Sequence, residues 1–160
     1  MRLTLLAVGR MKRGPETELS ATYVDRLIKA GRGLGISRVE TLEISEAMQA
    51  STDERKADEA ERLLAKIEPS DCLIVLDEHG DDISSRKLSS IMRANLDGGT
   101  PNLHVAIGGP DGHGASIIAR ANHTLRFGRM TWPHQLARVM AAEQLYRAST
   151  ILNGHPYHRD

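Results

Sequence analysis

The sequence predicts an α/β fold, a mostly parallel sheet with helices on both faces. Two observations carry that prediction. Short apolar runs bounded by turn residues alternate with longer segments of helical spacing along the 160 residues, a pattern that lays helices over a parallel sheet. Aromatics make up only 3% of the chain, so the core must be aliphatic. No repeat, low-complexity tract or linker interrupts residues 1–160, and the length suits one domain able to bury most of its apolar surface.

The elements follow in order. Leu3–Val8 is an apolar run that reads as the first strand, and Thr17–Lys29 as the first helix. Gly31–Gly35 is a flexible loop before a strand at Ser37–Ile44. A charged helix at Asp53–Ile67 leads to Cys72–Asp77, whose CLIVL run is a buried strand. A helix at Ser85–Leu96, a loop at Asp97–Asn102 and a strand at Leu103–Ile107 come next, followed by a helix at Ala115–Asn122 and a short strand at Thr124–Phe127. The last helix opens near Thr131, a cap candidate, with Pro133 in its first turn. Leu136, Val139, Met140, Leu145 and Tyr146 supply its apolar face, and Gly154 stops it.

Net charge is zero, with 21 Lys and Arg against 21 Asp and Glu, but the charge is unevenly spread. Residues 1–38 carry eight basic against three acidic side chains, residues 39–98 seven against fifteen, and residues 99–160 six against three. If the basic ends meet, that face can approach a polyanion; tight wrapping of naked RNA is not expected. The apolar run at Leu3–Val8 is too short for a signal segment or a membrane span, which predicts a cytoplasmic protein with no membrane partner. Cys72 is the single cysteine and lies in an apolar run, so it reads as core, which excludes disulfides and cysteine-rich metal sites.

Ligands of open α/β sheets gather beyond the carboxyl ends of strands. That rule selects Leu76–Gly80, Ile107–Gly114 and Phe127–His134. The middle segment is glycine-rich, so its backbone passes close to something or takes positive φ. It fits neither familiar phosphate motif: Gly109, Gly112 and Gly114 reverse the spacing of a dinucleotide fingerprint, and Ala115 stands where a P-loop needs its lysine. Beyond the last helix, His155, Tyr157, His158 and Arg159 concentrate groups able to titrate, hydrogen-bond a base and hold a phosphate. The tail is either solvated chain or chemistry.

Taken together, LLAVGRMK, LIVLDEHG, VAIGGPDG, MTWPHQLARVMAAEQLYRA and HPYHRD resemble the SPOUT methyltransferases, and among them the RlmH family, over essentially the whole chain. The resemblance implies a C-terminal deep trefoil knot and a homodimer that sets each cofactor pocket beside the partner subunit. It implies transfer of a methyl group from S-adenosyl-L-methionine to N3 of a pseudouridine in 23S rRNA within the assembled ribosome. On matching positions it assigns cofactor contacts to Leu76, Gly109, Gly128, Arg129, Met130, Thr131, Trp132 and Pro133. No metal is implied. Because N3 of a neutral pseudouridine carries a proton, a base or a cationic surrounding must help it leave. His158 is the candidate base or substrate clamp, Tyr157 a stacking or hydrogen-bonding group, and Arg138 or Arg159 a phosphate contact. Glu143 and Arg147 read as a helical i,i+4 pair. The competing readings are a non-catalytic RNA-binding module that kept a nucleotide pocket and a metal hydrolase built on His134, His155 and His158, which lack a neighbouring carboxylate or cysteine cluster.

Overall fold

The computed structural model describes residues 1–159; Asp160, the end of the tail block, lies outside them. The elements are β1 (Arg2–Val8), α1 (Pro15–Gly31), β2 (Arg38–Ile44), α2 (Thr52–Leu64), β3 (Cys72–Asp82), α3 (Ser85–Asp97), β4 (Asn102–Ile107), α4 (Ala115–Arg120), β5 (His123–Arg126) and α5 (His134–Leu152). The strands form one five-stranded sheet in the order β2-β1-β4-β3-β5. Every pairing is parallel, as the alternation predicts.

Side chains alternate across each strand and so sort into two cores. Leu3, Leu5, Cys72, Ile74, Leu103 and Val105 meet α1, α3 and α5 on one face. Leu6, Val8, Leu73, Val75 and Ala106 meet α2 and α4 on the other. Cys72 is buried in the first of these, where burial raises its thiol pKa, and behaves as a small apolar residue.

Four details differ from the sequence reading. Gly31–Gly35 is not a flexible loop: α1 includes Gly31 and a 3₁₀ turn follows at Arg32–Leu34. β3 does not stop at Asp77 but continues to Asp82, with an irregularity between Leu76 and Asp81 opposite β5. A Cβ at Gly80 would lie 2.6 Å from the Leu125 backbone, so glycine is what lets the two strands approach. α5 starts at His134 with Pro133 outside it as N-cap and no side-chain cap, so Thr131 does not cap the helix. Its buried face is lined by Ala141, Ala142 and Ala148 with Val139 and Leu145, while Leu136 is exposed; small residues let the helix lie close against its neighbours. At the other end Gly154 takes φ +64°, and the amides of Gly154 and His155 donate to the carbonyls of Ile151 and Thr150, a Schellman stop. Among the described residues, no helix is long and apolar enough to cross a membrane.

Candidate functional site

The middle of β3, at Leu76 to Glu78, and the segments that follow β4 and β5 enclose a cavity of about 300 Å³, within the usual range for ligand sites. One wall is the turn after β4, closed by the Gly112 amide donating to the Gly109 carbonyl at 3.0 Å. The other wall is the segment after β5. Gly128 turns that segment at φ +97°, and the Trp132 indole N–H donates to the Phe127 carbonyl at 3.0 Å, closing it into a compact loop. Leu76, Ile107 and Phe127 supply apolar lining, and Asp77 and Glu78 supply carboxylates. Asp111 is neutralised by Arg55 at 2.7 Å; Arg55 also donates to the carbonyls of Gln49 and Ala50, so one guanidinium ties the loop before α2 to the glycine turn.

Of the residues assigned to a cofactor, Leu76, Gly109, Gly128, Met130, Thr131 and Trp132 line this cavity, and Arg129 and Pro133 do not. Gly109 brings the backbone close to β1, as the glycine-rich segment predicts: a Cβ there would lie 3.0 Å from Val8 Cγ1 and press on that strand. The sequence reading passed over Phe127, the only phenylalanine of the chain, and His113. His113 is buried in the cavity wall with its Nε2 left without a hydrogen-bond partner; burial lowers its pKa and favours the neutral ring. A histidine within a glycine loop was the available signal.

Arg138, the candidate phosphate contact, is not open to a phosphate in this chain. It is 2% exposed and donates to Glu43 Oε1 at 2.7 Å, to the Gly9 carbonyl at 2.7 Å and to the Val8 carbonyl. It therefore anchors the first turns of α5 to the ends of β1 and β2.

The tail folds back on α5. The Tyr157 hydroxyl donates to Glu143 Oε1 at 3.0 Å, and its ring lies 4.7 Å from Tyr146 and 4.8 Å from the Arg147 guanidinium. Burial and the bonds to Tyr23 and Glu143 raise its pKa, so it remains a protonated donor. Arg147 pairs with Glu143 at 2.6 Å, as its spacing predicts, and lies 3.5 Å from His158 Nδ1. His155 is exposed. The tail and the cavity are not neighbours within one chain: the cavity touches α5 at His134 and Ala137, and the tail docks at Glu143 to Arg147. From Ala137 to Tyr146 the helix rises about 13 Å. His134 and His155 stand at opposite ends of α5, so the three histidines of the hydrolase reading do not converge. Among the described residues no group of His, Cys, Asp and Glu is arranged to hold a metal.

A second cavity, about 390 Å³ and largely apolar, lies between α3, β5 and α5, separated from the first by Leu125 to Gly128.

Residues 1–158 match the family described as Predicted SPOUT methyltransferase. A curated relative from Methylocella silvestris, Ribosomal RNA large subunit methyltransferase H, is 54% identical over 160 residues, with full coverage of both chains. Its counterpart from Rhizobium leguminosarum bv. trifolii is 47% identical over 159 residues, 99% of each chain. Among solved structures, a probable methylase family protein from Haemophilus influenzae Rd KW20 aligns with a TM-score of 0.49 and 11% identity, covering 99% of this chain and 70% of that one.

Proposed function

Since the chain belongs to the SPOUT methyltransferase family, we propose that this enzyme transfers a methyl group from S-adenosyl-L-methionine to N3 of a pseudouridine in 23S rRNA of the assembled ribosome. The relatives that match the whole chain support ribosomal RNA as the substrate. The observation that carries the cofactor reading is the chemistry of the cavity wall: apolar Leu76, Ile107 and Phe127, two glycine-containing loops with backbone donors and acceptors, and two carboxylates. That set fits a flat base at one end and a cationic sulfonium and ammonium at the other. When bound, the donor supplies an electrophilic methyl group.

The residues of this chain have separable tasks. Leu76 and Phe127 cover the adenine, the backbone of 128–132 reads its edge, and Asp77 and Glu78 favour positive charge at the mouth. Tyr157 and His158 act on the target nucleotide, with His158 taking the N3 proton or holding the base while it leaves. The pair Glu143–Arg147 holds Tyr157 and sets its orientation. Arg138 positions α5, and through it the loop before α5. The separation of tail from cavity within one chain supports a homodimer in which each tail serves the partner's pocket. The β4–α4–β5 crossover passing β3 to the sheet edge supports the trefoil path that the family fold implies.

The test is transfer of labelled methyl from S-adenosyl-L-methionine to ribosomes from a strain lacking the modification, followed by mass mapping of the nucleotide. Label at N3 of a single pseudouridine is expected. Replacing Tyr157 and His158 with alanine should leave cofactor binding by calorimetry intact while transfer falls; a base alone contributes about 10²–10⁴-fold. Cofactor binding with no transfer by the wild type would favour a non-catalytic RNA-binding module.

A further inference from the structure

The loop joining β1 to α1 carries Arg10, Lys12 and Arg13, all exposed. None of the ion pairs among the described residues includes them. The loop is nevertheless fixed in place. Gly9 turns it at φ +82°, the Met11 amide donates to Glu43 Oε1 at 3.0 Å, and the Thr17 hydroxyl donates to the Lys12 carbonyl. A ligand that binds these charges therefore has little backbone left to order.

The loop's place gives it meaning. It leaves the sheet at Val8, the residue against which Gly109 of the cavity wall packs. Arg129, also exposed and outside every ion pair above, stands beyond β5 on the other side of the cavity. β1 and β5 are separated by β4 and β3, an interval of about 14 Å at the usual strand spacing. Of the carboxylates beside the loop, Glu43 is engaged by Arg138 and by the Met11 amide, Glu46 lies against Gly9 in the field of Arg138, and Glu16 and Glu18 sit on the positive end of α1, whereas Arg10, Lys12 and Arg13 have no ion-pair partner of their own among the described residues. The protein as a whole is neutral, so attraction for a polyanion is confined to such a face.

We propose that Arg10, Lys12 and Arg13 form a phosphate-binding rim that holds the backbone of an RNA strand beside the cavity. The inference rests on the reading of the chain as a ribosomal RNA methyltransferase and names the face on which the RNA lies.

Fluorescence anisotropy of labelled protein titrated with ribosomes from a strain lacking the modification, between 50 and 200 mM KCl, tests it. The full-length wild type is compared with R10Q/K12Q/R13Q and with K66Q, a change at an exposed lysine beyond the far end of α2. Three lost phosphate contacts should make the log affinity against log salt slope shallower by about 2, which narrows the gap between wild type and variant by about 20-fold across that range. K66Q should follow the wild type, and thermal unfolding and cofactor binding should be unchanged in both variants. If the triple variant does not fold, K12Q and R13Q alone should each reduce the slope by about 0.7. Equal slopes for the wild type and a folded loop variant, or no ribosome binding by the wild type, would overturn the inference. Loop-dependent binding without methyl transfer would instead overturn the catalytic reading and leave the rim standing; transfer with equal slopes would do the reverse.

Discussion

At the scale of single residues, the site depends on two buried cationic or ionisable side chains. Arg138 supplies donors to two strand-end carbonyls and to Glu43 from a buried position. Arg138→Met keeps the volume but strands those acceptors, and loss of one partner from a buried network costs about 3 kcal/mol. Urea unfolding should show that loss, and an unchanged midpoint would mean that water replaces the guanidinium. His113 gives a pH dependence of known sign. Its folded pKa lies below the ordinary 6.5 because burial opposes the charged ring, assisted by Lys56. The unfolded chain therefore binds the proton first, so the stabilisation is present above about pH 6.5 and is lost as pH falls through the depressed value. His123, lowered by burial and by Lys87, adds a similar contribution. The thermal midpoint should drop between pH 7.5 and 5.5, and His113→Asn should reduce that drop without abolishing it. A variant whose midpoint falls as far as the wild type's would remove His113 as a source.

At the scale of elements, the irregular end of β3 governs the cavity. Gly80→Ala places a methyl 2.6 Å from the Leu125 backbone, an overpacking that costs about 2 kcal/mol. Because β5 feeds directly into residues 127–132, calorimetry should show weakened cofactor binding in the same variant; full affinity would mean that the loop is held from α5 alone. This element also shows where sequence reading stops. Strands such as Leu3–Val8 and Leu103–Ile107 were legible because both faces are buried and the apolar run is nearly continuous. The second half of β3, Glu78-His79-Gly80-Asp81-Asp82, is polar and reads as loop; it is a strand only because β5, distant in sequence, pairs with it. Of the predicted face of α5 only Leu136 is exposed, because the alanines that line the buried side give little periodic signal, and Arg138, expected to meet a phosphate, is buried against acceptors far away in sequence at Val8 and Gly9. The cavity-lining segments were legible, since parallel strands deliver their loops to one edge.

At the scale of the whole molecule, Leu136, Met130 and Trp132 form exposed apolar surface around the start of α5, and a monomer holds its tail well away from its own cavity. A dimer of twice the 17.6 kDa chain mass is expected in light scattering at micromolar concentration, and a stable monomer with full activity would count against a shared site. The length of α5 then has a genetic consequence. If each pocket is completed by the other subunit's tail, one protein lacking a working pocket and another lacking a working tail are individually inert yet complementary. Mixed and re-paired in equal amounts under two-fold symmetry, half the dimers are hybrid and each hybrid has one intact pair, so about a quarter of wild-type activity should return. A defect in either function would then be recessive to the other, and two inactive alleles could restore the modification in one cell.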